Sequence, residues 1–392
     1  MTAHATGAGL DTEALDRLRA AIEGDIDAGL YDGAVVMLGR HGEVALHEAI
    51  GWAERDTGRE AQTDDIFRVL SLTKAFTNTL MLRAISRGEL STATPVVDVL
   101  PEFAGTDRFR RARKERITIG HLLTHRSGLP LTPTPVPYEQ LGRLDLTLQA
   151  IYELEPVSDP GGAVNYSPAL NHALMGEILR RLSGGGISMR DLLHRDLFEP
   201  LGMTSTALGA PRAWADRLVP LKARFGNAGG WLTEHDVEVL NDVISEDAEM
   251  PWVGGVTSAE DVFRLAEMLR RGGEYDGVRY IAPAVLDLAT RNQTGDAPNE
   301  LYGRLAVQNG WEVTPAYIGL GFMLAGDTLA PAMYGTFPSP RTFGNYGAGS
   351  TIFWVDPERD LTFVVLTSGV LAHAPNIRRF HRLSDMAAAA AL

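Results

Sequence analysis

Ser71 and Lys74 stand three residues apart in Ser71-Leu72-Thr73-Lys74, at the start of a stretch with helical spacing. Residues three apart on a helix share a face, so the two side chains are within hydrogen-bonding reach. Only three lysines (Lys74, Lys114, Lys222) occur among 36 lysines and arginines. Lysine can lose its proton near neutral pH and arginine cannot. The positive end of a helix disfavours an ammonium, and burial disfavours it further. Lys74 is therefore a candidate base for Ser71, and the pair points to acyl transfer through a covalent acyl-enzyme. The plainer reading is a helix start followed by a surface lysine.

Two further segments bear on that chemistry. Pro160-Gly161-Gly162-Ala163-Val164-Asn165-Tyr166-Ser167 is a turn that delivers a tyrosine just before a helix. Tyr166 is a candidate proton relay if a nearby ammonium lowers its pKa, and otherwise a cover for the helix start. Asn345-Tyr346-Gly347-Ala348-Gly349-Ser350-Thr351 opens the apolar run TIFWVD. Small residues on an edge strand let a substrate approach the backbone. A backbone N–H there, paired with that of Ser71, would make an oxyanion hole.

These groups need elements to hold them. Leu15, Leu18, Ile22 and Ile26 predict a helix over about 11–29. A hairpin follows, Ala34–Leu38 and Val44–Gly51, turning at Arg40-His41-Gly42. Ser71–Arg87 reads as a helix closed by Gly88. Helices are predicted over 168–183, 188–197, 258–271 and about 374–390, and strands over Ile318–Leu324, Arg341–Tyr346, Thr351–Asp356 and Leu361–Ser368. This order predicts a discontinuous α/β lobe, 1–91 with 241–392, carrying an inserted, mainly helical lobe at 92–240. A cleft between the two would take the substrate.

Composition narrows the classes. The chain has 392 residues, 45% of them hydrophobic, a net charge of −14 and no cysteine. The charge argues against nucleic acid and anionic membrane surfaces as partners. The absence of cysteine excludes disulfides, thiolate zinc sites and cysteine nucleophiles. The first residues lack a basic start and an apolar core, and no apolar run reaches membrane-spanning length, so a soluble cytoplasmic protein is expected. His121 and His125 lie four apart in HLLTH, but no glutamate follows His121, and no metal is expected. No G-x-S-x-G elbow occurs, against an α/β-hydrolase fold. The basic run Arg110, Arg111, Arg113, Lys114, Arg116 reads as a solvated face or partner contact, and Trp231 and Trp252 as core or cleft lining.

With Ser71-x-x-Lys74, Tyr166 and the 345–351 segment in this order, the chain resembles the serine β-lactamase and penicillin-binding-protein superfamily. Within it, the β-lactamase-fold (family VIII) carboxylesterases and related transesterases are the most similar. FRVLSLTKAFTNTLMLRAISRGEL, ITIGHLLTHRSGLP, LFEPLGMTSTAL and GAGSTIFWVDPERDLTFVVLTS carry the likeness over about residues 12–370. It implies a β-lactamase/transpeptidase-like fold, an antiparallel sheet flanked by helices plus an all-α lobe. It implies Ser71 as nucleophile, Lys74 as base, Tyr166 as relay, and the N–H groups of Ser71 and Ala348 as oxyanion hole. No cofactor is implied. Tyr166-Ser167-Pro168 stands where β-lactamases keep Tyr-x-Asn. Asn345-Tyr346-Gly347 stands where they carry Lys-Thr-Gly, which removes the charge that attracts a β-lactam carboxylate. With Asn345, Tyr346 and Gly347 as substrate-binding residues, the expected substrate is a small neutral ester or thioester. The expected reaction is hydrolysis, with acyl transfer to an alcohol or amine as the alternative. D-amino-acid amidase or peptidase activity, weak β-lactamase activity and a ligand-binding pseudoenzyme rank behind.

Overall fold

A computed structural model describes residues 8–105, 111–225 and 232–392. The first residues of the chain, Arg110 and Trp231 therefore lie outside the described residues. The longer helices are α1 Thr12–Asp27, α2 Lys74–Ser86, α3 Leu144–Glu153, α4 Leu170–Leu182, α5 Ala259–Arg270, α6 Glu300–Gln308 and α7 His373–Ala389. The early strands are β1 Gly33–Arg40, β2 Glu43–Glu54, β3 Arg59–Glu60 and β4 Ile66–Arg68. Short strands β5 Ala207–Leu208, β6 Leu218–Val219, β7 Gly255–Thr257, β8 Glu274–Tyr275 and β9 Val278–Arg279 follow. The last strands are β10 Met323–Leu324, β11 Phe343–Gly347, β12 Thr351–Asp356 and β13 Leu361–Ser368.

The main sheet is antiparallel in the order β10-β11-β12-β13-β1-β2-β3. It joins the two ends of the chain, because β13 pairs with β1 along its whole length, Gly33 opposite Ser368 to Arg40 opposite Leu361. Every residue of β12 and β13 is buried, so their centres read as continuous apolar runs, Ile352–Val355 and Phe363–Leu366, rather than as alternating ones. Side chains still alternate between faces. Ile352, Trp354, Phe363 and Val365 enter a core with Leu15, Leu18 and Ile22 of α1 and Phe380 and Leu383 of α7. Phe353, Val355, Val364 and Leu366 enter a larger core shared with α2, α4 and α5. A small second sheet, β5-β7-β4-β6, ends next to the Ser71 turn.

The helices begin where the local chemistry predicts. Asp11 caps α1, its carboxylate accepting from the Glu13 N–H, and Ser258 caps α5 through the Asp261 N–H. The expected strand over Ile318–Leu324 is not formed. It reduces to β10 and a bridge between Ile318 and Met323, because Gly319 and Gly321 carry the chain against neighbouring backbone at Ala289 and against Asn78. Ser71 does not sit on the α-helix expected to start there. It lies in a 3-10 turn, Leu70–Thr73, and α2 begins at Lys74. No described helix is long and apolar enough to cross a membrane.

Candidate active site

The Ser71 turn is held from three sides. Leu70, buried, takes a left-handed φ of 44°, a conformation that costs a non-glycine residue free energy and persists only where packing enforces it. The Thr351 hydroxyl donates to the Val69 carbonyl at 3.0 Å, and the Val69 N–H donates to the Gly255 carbonyl at 3.1 Å. Strand β11 ends against the same turn. A Cβ on Gly347 would lie 2.0 Å from the Val69 carbonyl oxygen and 3.2 Å from the Leu72 nitrogen. Only glycine permits that approach, which draws Ala348 beside Ser71 along the wall of one cleft.

Lys74 is buried, and its Nζ lies 3.1 Å from Ser71 Oγ and 2.8 Å from the Trp252 carbonyl oxygen. Its ammonium is also 5.3 Å from the centre of the Tyr166 ring. Burial lowers its pKa from 10.5 to about 7, since a low-dielectric surrounding penalises the charged form. Near neutral pH a large fraction is then a free amine.

Tyr166 donates its hydroxyl to Ser71 Oγ at 2.9 Å. Its pKa is raised, first by burial and then by Tyr302, so it is a neutral phenol. The expectation that an adjacent ammonium would pull this pKa down therefore gives way to desolvation. The hydroxyl keeps its proton and acts as a donor.

Beneath these three groups lies a layer that the sequence did not assign to the site, although it holds His125 of the HLLTH run. His125, at φ 54°, accepts the Ser167 N–H on Nδ1 at 3.0 Å and lies 4.9 Å, ring to ring, from Tyr166. Burial and the Lys74 charge push its pKa down to about 3, and they push His172 down also, so both rings are neutral. Asn78 bridges α2 to its surroundings: its oxygen meets His172 Nε2 at 3.0 Å and its amide donates to the Gly321 carbonyl at 2.6 Å. Gly321 has φ 85°, and a Cβ there would lie 2.5 Å from Asn78 Cγ.

Sequence-selected residues divide between two depths. Ser71, Tyr166, Tyr346, Gly347 and Ala348 line an open cleft of about 600 Å³. Asn345 lies one layer further in, buried, its amide directed at the Gly321 carbonyl at 3.3 Å, beside a small space shared with Lys74 and His125. An apolar cleft of about 570 Å³, walled by Pro133, Tyr138, Leu141, Leu240, Trp252 and Val253, meets Ser71 on the other side. Pro168, at the asparagine position of Tyr-x-Asn, lines this second cleft, while Asn171 ties α4 to its neighbours, accepting from Ser127 and donating to the Leu122 carbonyl.

The remaining candidates lie elsewhere. His121 closes a helix cap, its Nδ1 accepting from the Thr118 N–H, and no group of three potential metal ligands occurs among the described residues. Lys114 is buried against the Tyr152 carbonyl and the Phe103 ring, while Lys222 pairs with Glu238. Arg113 and Arg116 pair with Asp159. Trp252 is both buried and a wall of the apolar cleft, and its backbone carbonyl accepts from Lys74.

A serine on a strained turn, contacted by a buried amine and a neutral phenol at the end of an antiparallel sheet, is an arrangement that can carry acyl transfer. Residues 18–386 match the Beta-lactamase family model, and the chain belongs to that family. Protein Rv1367c of Mycobacterium tuberculosis (strain ATCC 25618 / H37Rv) is 28% identical over 93% of this chain and 91% of its own length. Esterase EstB of Burkholderia gladioli is 29% identical over 74% of this chain and 79% of its own. The crystal structure of a family VIII carboxylesterase superposes with a TM-score of 0.78 over 97% of this chain and 99% of that one, at 22% identity, a likeness of fold.

Proposed function

We propose that this protein is a serine hydrolase of carboxylic esters that works through an acyl-enzyme on Ser71. The observation that carries the reading is the triangle at Ser71 Oγ, with Lys74 Nζ at 3.1 Å and Tyr166 OH at 2.9 Å. The similarity to Esterase EstB supports the choice of ester over amide.

As a free amine, Lys74 keeps its bond to the Trp252 carbonyl and turns its lone pair to the serine hydroxyl. It takes that proton as Oγ attacks the ester carbonyl. The N–H groups of Ser71 and Ala348 receive the negative charge that develops on the carbonyl oxygen. When the carbon–oxygen bond to the alcohol breaks, Tyr166 gives its proton to the leaving oxygen, and the Lys74 ammonium beside it returns a proton to the phenolate. Water then attacks the acyl group by the reverse route and frees the acid. The apolar cleft of Leu141, Leu240 and Trp252 suits the acyl chain, and much of its wall comes from the 92–240 segment, which we read as the lobe that sets substrate choice. Tyr346 and Gly347 line the opposite side, and no lysine stands at 345 to attract an anionic β-lactam.

Intact-mass spectrometry after brief exposure to p-nitrophenyl butyrate tests the reading. The wild type should gain one butyryl group and release nitrophenol, and Ser71→Ala should do neither. Equal nitrophenol release from Ser71→Ala would remove Ser71 as the nucleophile.

A further inference from the structure

Between the bridge of Val164 to Asn299 and the start of α4 at Leu170, no helix or strand holds the chain that carries Tyr166. What holds it is the turn at 125–128, which runs alongside the 157–167 segment as a ledge. The Gly128 carbonyl accepts the Val157 N–H at 2.8 Å, and the Arg126 carbonyl accepts the Gly161 N–H at 2.8 Å. The next two bonds both belong to His125. Its carbonyl accepts the Asn165 N–H at 2.9 Å, and its Nδ1 accepts the Ser167 N–H at 3.0 Å. One residue therefore grips the chain on each side of Tyr166, while its ring lies 4.9 Å, centre to centre, from the tyrosine ring.

His125 is suited to that place in two ways. It is 6% exposed and takes a left-handed φ of 54°, a region that histidine, asparagine and aspartate enter more readily than other side chains. A ring nitrogen that accepts carries no proton, so the hydrogen sits on Nε2. Burial and the Lys74 charge keep the ring neutral, its pKa pushed down to about 3, and only a neutral ring accepts at Nδ1. Among the described residues the ring makes no hydrogen bond to Ser71, Lys74 or the Tyr166 hydroxyl, so it holds no place in the proton path. Ser127 anchors the same turn to α4, donating to the Asn171 oxygen at 2.9 Å.

We propose that His125 is the positioning residue for Tyr166: by holding the N–H groups on both sides of the tyrosine, it keeps the phenol aimed at Ser71 Oγ and at the oxygen of the departing alcohol. The hydroxyl stands at the end of a long side chain. A small rotation of the backbone at 165–167 would carry it away from its 2.9 Å contact with Ser71. The inference rests on the acyl-enzyme reading above and adds to it the group that aims its proton donor.

Two butyrate esters that share one acyl-enzyme test this role. Ethoxide is a poor leaving group and needs the proton of Tyr166, whereas p-nitrophenolate is a stable anion and leaves without one. Tyr166→Phe should therefore lower kcat/KM for ethyl butyrate relative to p-nitrophenyl butyrate by about tenfold or more. His125→Gln places its amide where Nε2 was and leaves the Ser167 N–H unmet, so it should lower the same ratio by about tenfold. Should that variant fail to fold, His125→Leu, which has no acceptor, carries the same expectation. His125→Asn sets its oxygen where Nδ1 was and tolerates the left-handed φ, so it should keep the wild-type ratio. Added to Tyr166→Phe, His125→Gln should change the ratio no further, since a donor already absent cannot be misplaced. A histidine that only supported the fold would slow both esters together. Equal losses on the two esters in His125→Gln, a ratio that falls as far in His125→Asn, or a further fall in the double variant would overturn the assignment and leave the relay standing. A ratio unmoved by Tyr166→Phe itself would overturn the relay, and the role of His125 with it.

Discussion

Lys74→Met should make the protein more stable below neutral pH while destroying the proposed activity. In the native state the lysine pKa falls from 10.5 to about 7 because the side chain is buried. The unfolded chain therefore holds this proton more tightly than the folded one, and stability rises with pH between about 7 and 10.5. Each tenfold difference in proton affinity is worth about 1.4 kcal/mol. The buried ammonium thus costs the native state about 5 kcal/mol at pH 6 and about 2 kcal/mol at pH 9. Methionine removes that cost and leaves the Trp252 carbonyl and Ser71 hydroxyl without a partner, a loss of about 1–3 kcal/mol that does not change with pH. The variant should exceed the wild type by about 2–4 kcal/mol at pH 6, and the advantage should shrink by about 3 kcal/mol by pH 9. His125 and His172, the titratable groups that feel the Lys74 charge, have pKa values held low by burial, so both stay neutral across this range. Denaturant unfolding of both proteins at pH 6, 7.5 and 9 measures the difference. A difference that stays constant with pH would show that Lys74 is not held deprotonated, and the argument for it as a base would fall.

The remaining predictions concern the groups around it. In wild type, kcat/KM should rise with pH through a midpoint near 7 as Lys74 loses its proton; a flat profile from pH 5.5 to 8.5 would contradict that role. Tyr166→Phe should lower kcat by about 10²- to 10⁴-fold, the usual worth of a positioned proton donor, with an unchanged unfolding midpoint; steady-state kinetics and circular dichroism check both. Gly347→Ala should cost at least about 100-fold in acylation rate, because the new carbon meets the Val69 carbonyl and moves the Ser71 turn, a displacement that catalysis tolerates poorly; a burst of normal amplitude and rate would refute it. Asn78→Ala should destabilise the protein by about 2–4 kcal/mol, because it strips buried partners from Gly321 and His172, as read from denaturant midpoints.

Much of the frame was legible along the chain. The period of Leu15, Leu18, Ile22 and Ile26 gave α1, and the runs Thr351–Asp356 and Leu361–Ser368 gave β12 and β13. The scarcity of lysine was a poorer guide than its position. Lys114 also has little exposed surface, yet it meets a carbonyl, a ring and the charges of Glu155 and Glu153, with no serine bonded to it among the described residues. The Ile318–Leu324 run misled because its alternation reflects close approaches at Gly319 and Gly321, which strand patterning does not encode.

Ser71, Lys74 and the order of Tyr166 and the 345–351 segment were decided by the sequence, since spacing along one turn is a local property. What those groups can do was decided by packing. The pKa of Lys74 depends on desolvation, and that depends on residues brought against it from far along the chain, such as Trp252. The protonation of Tyr166 depends on burial beside Tyr302, and the position of Ala348 on a glycine that fits against the Val69 carbonyl. Such effects fall off within a few ångströms, so they appear only once the chain has placed its distant segments together.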